Sequence, residues 1–341
     1  MEYLFSHRRY RLPLRTTVRT AHGVWREREG VIVRLADASG AIAYGEAAPI
    51  PWFGTETVDA VDAACRTIGD KLSAENVAAL PAALGCLRHA LNSALADLTP
   101  GSGPANEADG SAFLPVAALL PAGRAVLGDV QPKIDAGFRT FKWKVGVGDV
   151  ADELGLLDDL CAQLPEGAKL RLDANGAWDR RQAERWLERC AERPVEFVEQ
   201  PIAADARGAV DLLQGLAADF PVPLALDESL VGESDLVQWI GSGWPGVYVV
   251  KLALLGDPTA ALARLAAAQA SVVFSSALET AVGARTALIH AFAWPGARRA
   301  LGFGVWPLFA DARFDGPAAA PFIRRADLDQ INPEAVWTAL G

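Results

Sequence analysis

The sequence predicts an α/β protein in which a small N-terminal α+β unit precedes a (β/α) barrel. Three observations support this fold class. The 341 residues suffice for one large and one small domain. A hairpin pattern and two helical stretches occupy residues 1–98, and eight short apolar runs alternate with Ala/Leu-rich stretches beyond residue 111. An open doubly wound sheet is the alternative, but no glycine-rich nucleotide-binding loop follows any of these runs.

Composition excludes several functional classes. The chain is 51% apolar and 22% charged, as expected for a globular protein, and its net charge of −10 argues against nucleic-acid binding. No apolar stretch has the length of a membrane span, and the N-terminus lacks a signal-peptide pattern. The four cysteines, Cys65, Cys86, Cys161 and Cys190, form no CxxC motif. We therefore expect reduced, mostly buried thiols in a cytoplasmic protein.

Residues 1–98 are predicted to form the α+β unit. The stretch "GVIVRLADASGAIAYGEAAP" has two β-rich runs around the turn "DASG", which is typical of a hairpin. Two stretches of helical periodicity follow, "TETVDAVDAACRTIGDKL" and "NVAALPAALGCLRHALNSALADL". Residues 99–111 are rich in Gly, Pro, Asn and Ser and are predicted to be a linker.

Residues 112–309 are predicted to form the barrel, with strands in the eight apolar runs. These runs span residues 113–120, 138–146, 169–176, 195–201, 222–229, 246–254, 271–279 and 299–306. The remaining residues, 310–341, are too few for a domain and are expected to pack back on the N-terminal unit.

Charged residues lie near the carboxyl ends of five consecutive runs. They are Lys144, Asp173, Glu199, Asp227 and Lys251, which lie between 24 and 29 residues apart. One β/α repeat has about this length, roughly thirty residues. Because the carboxyl ends of barrel strands meet at one mouth, these side chains are predicted to converge on one cavity. Glu279 ends the next run and is a further candidate.

The three acids predict a magnesium site. Asp173, Glu199 and Asp227 offer oxygen ligands with no His or Cys nearby in sequence, which suits Mg²⁺ or Mn²⁺ better than zinc. Carboxylates gathered in this way repel one another unless a cation neutralises them. A single Asp at a strand end is usually a helix cap or turn residue, but repetition at successive strand ends favours a metal site.

The stretch "KWK" poses a question of orientation. Lys142 and Lys144 point to one side of a strand and Trp143 to the other. The lysines face either solvent or the interior, and the acids expected at the same mouth favour the interior. Lys144 and Lys251 would then flank a metal-bound ligand, an arrangement suited to acid/base chemistry. Trp143 is expected to pack outward against the helices.

These motifs together resemble the enolase superfamily, specifically its muconate lactonising subgroup, over nearly the whole chain. In order, "KWK", "LDANGAW", "VEQP", "LDES" and "VVKLALLGD" resemble its barrel motifs, and residues 28–49 resemble its N-terminal capping domain. The resemblance implies a modified TIM barrel with an α+β capping domain. It also implies Mg²⁺, replaceable by Mn²⁺, as the cofactor. The implied site consists of metal ligands Asp173, Glu199 and Asp227, acid/base lysines Lys144 and Lys251, and supporting residues Lys142, Asn175 and Glu228.

The implied chemistry is removal of a proton next to a carboxylate, which produces an enediolate. A divalent cation and an ammonium group stabilise that charge as it develops. The base must be a neutral amine, and the Lys142 ammonium beside Lys144 favours that form.

Four kinds of enzyme in the subgroup share these residues: o-succinylbenzoate synthases, N-succinylamino acid racemases, dipeptide epimerases and muconate cycloisomerases. Residues 275–283, "SSALETAVG", and cap residues 48–57 resemble the synthases, whereas residues 302–316 lack the acidic pair expected of a dipeptide epimerase. The substrate-facing candidates are Ser275, Ser276, Glu279, Trp52 and Phe53. Glu279 is expected to orient a neighbouring group, and cap-to-barrel packing is the alternative role for Trp52 and Phe53.

The resemblance therefore implies Mg²⁺-dependent syn dehydration of 2-succinyl-6-hydroxy-2,4-cyclohexadiene-1-carboxylate to 2-succinylbenzoate, a step in menaquinone or phylloquinone biosynthesis. An N-succinylamino acid racemase or another epimerase or cycloisomerase on the same scaffold is the first alternative. A metal-binding barrel without catalysis is the second. The expected partner is a small-molecule carboxylate, with no nucleic acid and no membrane span, and the sequence leaves the oligomeric state open.

Overall fold

The structure is a computed structural model that describes residues 1–20, 23–99 and 112–341. The predicted linker at residues 99–111 lies outside the described residues, apart from Thr99.

The N-terminal unit is a four-stranded antiparallel sheet covered by three helices, with strand order β3-β2-β1-β4. The strands are β1 (Glu2–Thr20), β2 (Gly23–Ala36), β3 (Ile42–Ala47) and β4 (Lys71–Ser73), and the helices are α1 (Val58–Ile68), α2 (Ala74–Ala78) and α3 (Gly85–Leu98). The predicted hairpin is β2–β3, and its turn is held by Asp37, whose carboxylate accepts the N–H groups of Ser39 and Ala41. Gly45 lets α3 lie directly on β3, because a Cβ there would be 1.9 Å from the Ala90 carbonyl oxygen.

The second unit is a curled parallel sheet of seven strands in the order β12-β11-β10-β9-β8-β7-β6. The strands are β6 (Ala118–Leu120), β7 (Thr140–Lys144), β8 (Lys169–Asp173), β9 (Val195–Glu199), β10 (Leu224–Leu226), β11 (Val247–Val250) and β12 (Ser271–Phe274). The helices that alternate with them are α4 (Val126–Asp135), α5 (Val150–Gln163), α6 (Arg180–Cys190), α7 (Ala209–Asp219), α8 (Glu233–Gly241), α9 (Pro258–Ala267) and α10 (Ala281–Ala293). This alternation confirms the predicted (β/α) barrel with an N-terminal α+β domain.

Two predicted strands differ in detail from the structure. Residues 299–306 form no regular strand, and Leu301 and Gly302 instead close the barrel through parallel bridges to Val116 and Ser275. Glycine favours this close approach, because a Cβ on Gly302 would lie 2.5 Å from the Ser275 hydroxyl. The run at 113–120 divides into β5 (Phe113–Pro115), which leaves the barrel, and β6.

Tryptophans fill the layer between strands and helices beside β7. Trp143 is fully buried, and its ring lies 6.3 Å from that of Trp186 on α6. The Trp186 ring in turn stacks on Trp178 at 4.9 Å. Because Trp143 points outward into this layer, its neighbours Lys142 and Lys144 face the barrel interior.

The C-terminal segment contacts both units. Strand β13 (Phe322–Arg324) pairs with β5, and helix α11 (Pro333–Ala339) lies against the N-terminal sheet. Arg8 of β1 donates a hydrogen bond to the Trp337 carbonyl, and the Tyr44 hydroxyl donates to Glu334.

All four cysteines are free thiols, of which Cys65, Cys86 and Cys190 are buried and Cys161 is half-buried. Among the residues that the structure describes, no helix has both the length and the apolar character needed to cross a membrane.

Candidate active site

Five charged residues occupy the carboxyl ends of consecutive barrel strands. Lys144, Asp173 and Glu199 are the last residues of β7, β8 and β9, and Asp227 and Lys251 directly follow β10 and β11. The parallel register places Lys144 opposite Asp173 and Asp173 opposite Glu199. Strand register therefore brings these residues to one mouth of the barrel.

A cavity of about 300 Å³ opens at this mouth, between the barrel and the N-terminal unit. The predicted residues that line it are Trp52, Phe53, Lys142, Lys144, Asp173, Asn175, Asp227, Glu228, Lys251, Ser275 and Ser276. Glu199 lies just beneath the lining, 1% exposed, and Glu279 lies outside it. The wall also contains apolar residues that were not predicted from the sequence, among them Val18, Trp25, Ile50, Leu119, Leu120 and Val305.

The Lys142 ammonium bridges two of the carboxylates. Its Nζ lies 2.9 Å from Asp173 and 2.7 Å from Glu199. Burial opposes the charge on Lys142, but the carboxylates of Asp173, Glu199 and Asp227 outweigh that effect and raise its pKa. Lys142 is therefore a fixed cation, and Lys144 beside it makes no ion pair with any carboxylate of the described residues.

Lys251 lies on the other side of the carboxylate row. Its ammonium pairs with Asp227 and also lies 4.6 Å from the centre of the Phe53 ring. A cation over an aromatic face is stabilised by the quadrupole of the ring. The cap thus contributes directly to the environment of a barrel lysine.

The acidic cluster is incompletely neutralised by the lysines. Burial and the charges of Asp173 and Asp227 raise the pKa of Glu199 to about 8. Burial, followed by the charges of Asp227 and Asp173, raises the pKa of Glu228 to about 7. Although burial disfavours ionisation of Asp173 as well, the Lys142 ammonium holds its pKa below the usual range. A further cation would therefore be bound favourably here.

The donor set suits Mg²⁺, but the side chains are not arranged as ligands in this structure. In the described part of the chain, no three His, Cys, Asp or Glu side chains form a cluster able to hold an ion as they stand. The carboxylates of Asp173 and Glu199 are turned to Lys142, and that of Asp227 to Lys251. These are hard oxygen donors at adjacent strand ends, the kind of ligand that Mg²⁺ prefers. The ligand assignment stays a prediction.

Two residues next to the acids fix the strand ends. Asn175, at φ 44°, donates its side-chain amide to Glu228 at 2.9 Å and its backbone N–H to Asp173. Gln200, which the sequence analysis missed, is fully buried with φ 39°. Its side-chain oxygen accepts the N–H groups of Asp227 and Ser229 at 3.0 and 3.1 Å. Gln200 in "VEQP" thus connects the ends of β9 and β10.

The loop after β12 forms another wall of the cavity. The Ser275 hydroxyl lies 3.4 Å from the Gly302 carbonyl, and the Ser276 hydroxyl donates to Glu279 at 3.1 Å. Glu279 also accepts the Ala277 N–H at 2.5 Å. Burial, with Glu46 nearby, raises the pKa of Glu279 to about 7. Glu279 therefore holds this loop from the side away from the cavity.

The N-terminal unit supplies an aromatic wall. Residues Pro51–Phe53 form a single 3₁₀ turn that ends at Gly54, whose φ of 106° disfavours any other residue. Trp52 packs edge-on against Trp25, with ring centres 5.2 Å apart. An aromatic wall facing a charged floor suits a substrate with an apolar ring and a carboxylate.

Comparison with known proteins identifies the family. A family model described as "Enolase C-terminal domain-like" matches residues 126–321, and one described as "MenC, N-terminal domain" matches residues 5–98. An o-succinylbenzoate synthase from Thermosynechococcus vestitus is 42% identical over 301 residues, which cover 87% of this chain and 90% of that protein. The chain belongs to the enolase superfamily and, within it, to the o-succinylbenzoate synthase family. The predicted superfamily is thereby confirmed.

Solved structures agree with this placement. The crystal structure of the o-succinylbenzoate synthase from Thermosynechococcus elongatus, with Mg in its active site, has a TM-score of 0.82 and 36% identity, covering 98% of this chain and 99% of that one. The L-Ala-D/L-Glu epimerase from Bacillus subtilis has a TM-score of 0.81 at 21% identity, covering 95% and 96% of the two chains. The second likeness shows the fold alone, because one scaffold hosts several reactions.

Proposed function

We propose that this protein is an o-succinylbenzoate synthase. It is a carbon–oxygen lyase that dehydrates 2-succinyl-6-hydroxy-2,4-cyclohexadiene-1-carboxylate to 2-succinylbenzoate in menaquinone or phylloquinone biosynthesis. The observation that carries this proposal is the placement of Lys144 and Lys251 in one aromatic-walled cavity, on either side of a row of buried carboxylates. Membership of the family and the Mg in a related active site support it.

The residues that would hold Mg²⁺ are Asp173, Glu199 and Asp227. The bound ion would engage the substrate carboxylate and lower the energy of negative charge on its oxygens. Lys142 is the fixed cation at the floor of this site, and Asn175 and Glu228 support the neighbouring strand ends. These assignments follow from the chemistry of the side chains and their positions at adjacent strand ends.

Lys144 is the acid/base residue of the mechanism. Its neutral amine takes the proton from the ring carbon that bears the carboxylate, and the electron pair moves into the carboxylate to give an enediolate. The resulting Lys144 ammonium then donates that proton to the departing hydroxyl on the same face, which leaves as water. The electron pair returns to form the ring double bond, so atoms and charge balance and an aromatic ring results.

Lys251 stabilises the enediolate from the opposite side as an ammonium ion. Its ammonium pairs with Asp227 and lies over the face of Phe53, so both groups hold it at this side of the cavity. Removal of water from this small cavity strengthens the attraction between ammonium and enediolate. Lys251 therefore serves as an electrostatic partner and does not move a proton in this reaction.

Acidic residues near the barrel closure are engaged elsewhere, which favours the synthase over a dipeptide epimerase. Asp311 forms a salt bridge to Arg313, and Asp315 accepts the N–H groups of Leu308 and Phe309. Neither acid lines the cavity, whose nearby wall is Gly302 and Val305. A substrate ammonium would therefore lack a carboxylate partner on this side.

The test is turnover of the cyclohexadiene carboxylate by purified protein with Mg²⁺, followed as loss of diene absorbance. We expect turnover by the wild type, loss of it in Lys144→Ala, and retention in Lys169→Ala. Lys169 is a matched control because it starts β8 at the opposite end of the barrel, where it pairs with Glu196. No turnover of this substrate together with rapid racemisation of N-succinyl amino acids would overturn the assignment in favour of a racemase, for which both lysines would act as bases.

The free, mostly buried cysteines support a cytoplasmic location. The partner is the small-molecule carboxylate substrate.

A further inference from the structure

Arg28 on β2 is a buried arginine held entirely by backbone carbonyl groups. It is 2% exposed, and within the described chain no carboxylate pairs with it. Its five N–H groups have five acceptors, the carbonyl oxygens of Glu29 (2.7 Å), Ala48 (2.5 Å), Pro49 (2.8 Å), Ala277 (3.2 Å) and Leu278 (3.1 Å). A buried guanidinium is costly unless every donor is satisfied, so this set of acceptors specifies arginine.

The acceptors lie directly behind walls of the cavity. Ala277 and Leu278 line the cavity from the barrel, and Pro49 precedes the lining residue Ile50 in the cap. The Arg28 guanidinium also lies 5.3 Å from the centre of the Trp25 ring, a third part of the wall. Arg28 itself does not line the cavity. One side chain outside the cavity thus connects three of its walls, which come from both units.

The barrel loop that Arg28 holds has an unusual backbone. After β12 ends at Phe274, Leu278 adopts φ 59°, a conformation that a branched side chain rarely takes. Such a residue persists where the surroundings over-determine it. Glu279 binds the loop through the Ala277 N–H, while Arg28 binds it through the Ala277 and Leu278 carbonyls.

A second cap residue fixes the end of the same loop. Glu46 of β3 is buried and accepts the N–H and hydroxyl of Thr280 and the N–H of Gly283, at the start of α10. The Tyr10 hydroxyl donates to the same carboxylate at 2.6 Å. A carboxylate of the N-terminal unit therefore accepts hydrogen bonds at the N-terminus of barrel helix α10, whose N-cap residue is Thr280. With this end fixed, Glu279 holds the Ala277 N–H from within the barrel, and Arg28 is the contact that ties the Ala277 and Leu278 carbonyls to the N-terminal unit.

We propose that Arg28 is a positioning residue that sets the distance between the barrel wall at Ser275–Leu278 and the aromatic wall at Trp25 and Trp52. It governs how tightly the ring and side chain of the substrate fit, and it contacts neither the carboxylates nor the lysines of the floor. Because such contacts act on the ground state and the transition state alike, its loss raises KM more than it lowers kcat. The inference rests on the proposed function for the identity of the substrate.

The experiment compares Arg28→Lys with Arg8→Lys. A lysine ammonium has three donors on one point and cannot serve five carbonyls, so Arg28→Lys loosens the walls while keeping the charge. Arg8 is the matched control, because it also lies in the cap and also donates to a carbonyl, that of Trp337, away from the cavity. The readouts are KM, kcat, thermal midpoint, Mg²⁺ affinity and, by tryptophan fluorescence, the Kd of 2-succinylbenzoate in the presence of Mg²⁺.

For Arg28→Lys we expect KM and the product Kd to rise about tenfold or more, with kcat and Mg²⁺ affinity within about threefold of wild type. Arg8→Lys should lower the thermal midpoint without changing KM or Kd. Equal thermal losses with unchanged KM and Kd in both variants would overturn the inference.

Arg28→Gln, which buries no charge, repeats the test if the lysine variant does not fold. Failure of both variants to fold would assign Arg28 to the stability of the cap and would also overturn the inference. A wild-type protein without turnover would instead refute the proposed function, and the comparison of Kd values would still test Arg28.

Discussion

Two buried histidines should each contribute a loss of stability as the pH falls below 6.5. His89 on α3 is 1% exposed with Nδ1 3.2 Å from the Leu255 carbonyl, and His290 on α10 is 7% exposed. Burial lowers the pKa of His89 to about 3 and that of His290 to about 4, whereas an exposed histidine titrates near ~6.5. The unfolded chain therefore binds protons that the folded chain does not, and stability present above pH 6.5 is lost as the pH falls.

The magnitude follows from the linkage between pKa and stability. Between pH 8 and pH 5.5 each histidine should cost about 1.4 kcal/mol, since one pH unit corresponds to about 1.36 kcal/mol. Both folded pKa values lie well below 5.5, so this figure depends chiefly on the unfolded value. Together the two histidines should cost about 3 kcal/mol, compared with a total stability of about 5–15 kcal/mol.

The assay is urea unfolding of wild type, His89→Gln, His290→Gln and the double variant at pH 8 and pH 5.5. For each variant, the free energy of unfolding at pH 5.5 is compared with its own value at pH 8. A loss of packing that is the same at both pH values therefore cancels. We expect the free energy of unfolding at pH 5.5, taken relative to that at pH 8, to be more favourable than in wild type by about 1.4 kcal/mol in each single variant and by about twice that in the double variant. A double variant with the same pH dependence of stability as wild type would refute the view that these histidines are neutral in the fold.

Three further substitutions test the site and its support. Lys142→Met removes the cation bridging the floor carboxylates and should lower Mg²⁺-dependent turnover by about 10–100-fold in steady-state kinetics, and wild-type turnover would contradict its role. Gln200→Leu leaves the N–H of Asp227 without its acceptor and should lower the free energy of unfolding in urea by about 1–3 kcal/mol. An unchanged free energy of unfolding would contradict this role of Gln200. Gly176 has φ 70°, and a Cβ there would lie 2.7 Å from a backbone atom, whereas Gly167 has φ 75° and open space around it. Gly176→Ala should therefore lower the free energy of unfolding by about 1–3 kcal/mol more than Gly167→Ala. Equal losses of stability in the two variants would show that the close contact is relieved by a shift of the backbone.

The charged residues of the site could be predicted because residues one β/α repeat apart lie at neighbouring strand ends of a barrel. Lys144, Asp173 and Glu199 end their strands in register, and side-chain alternation turned Lys142 inward with Lys144. These relations need only the period of a strand and the length of a β/α repeat. The eighth strand was predicted over residues 299–306 from their apolar character. Only Leu301 and Gly302 bridge the neighbouring strands, and Gly302 fits there because it has no side chain.

The walls and the connection between the units were not predictable from the sequence. Arg28 and Glu46 lie inside cap strands, and their barrel partners, in the loop after β12 and at the start of α10, are more than two hundred residues away. The role of each buried charge can be assigned only when its hydrogen-bond partners in the folded chain are known. The long strand β1 was not assigned either, although buried residues alternate along it at Tyr10, Leu12 and Leu14.

The proposed mechanism requires that three acids at neighbouring strand ends share one Mg²⁺ beneath the substrate. Calorimetric titration of Mg²⁺ into wild type, Glu199→Gln and Glu196→Gln tests it without reference to turnover. Glu196 is the matched control, since it lies on the same strand and is buried beside Arg171 at the other end of the barrel. We predict one ion per chain in wild type and Glu196→Gln, and at least about 100-fold weaker binding in Glu199→Gln. Equal Mg²⁺ affinity in Glu199→Gln and wild type would contradict the assignment of Glu199 as a metal ligand.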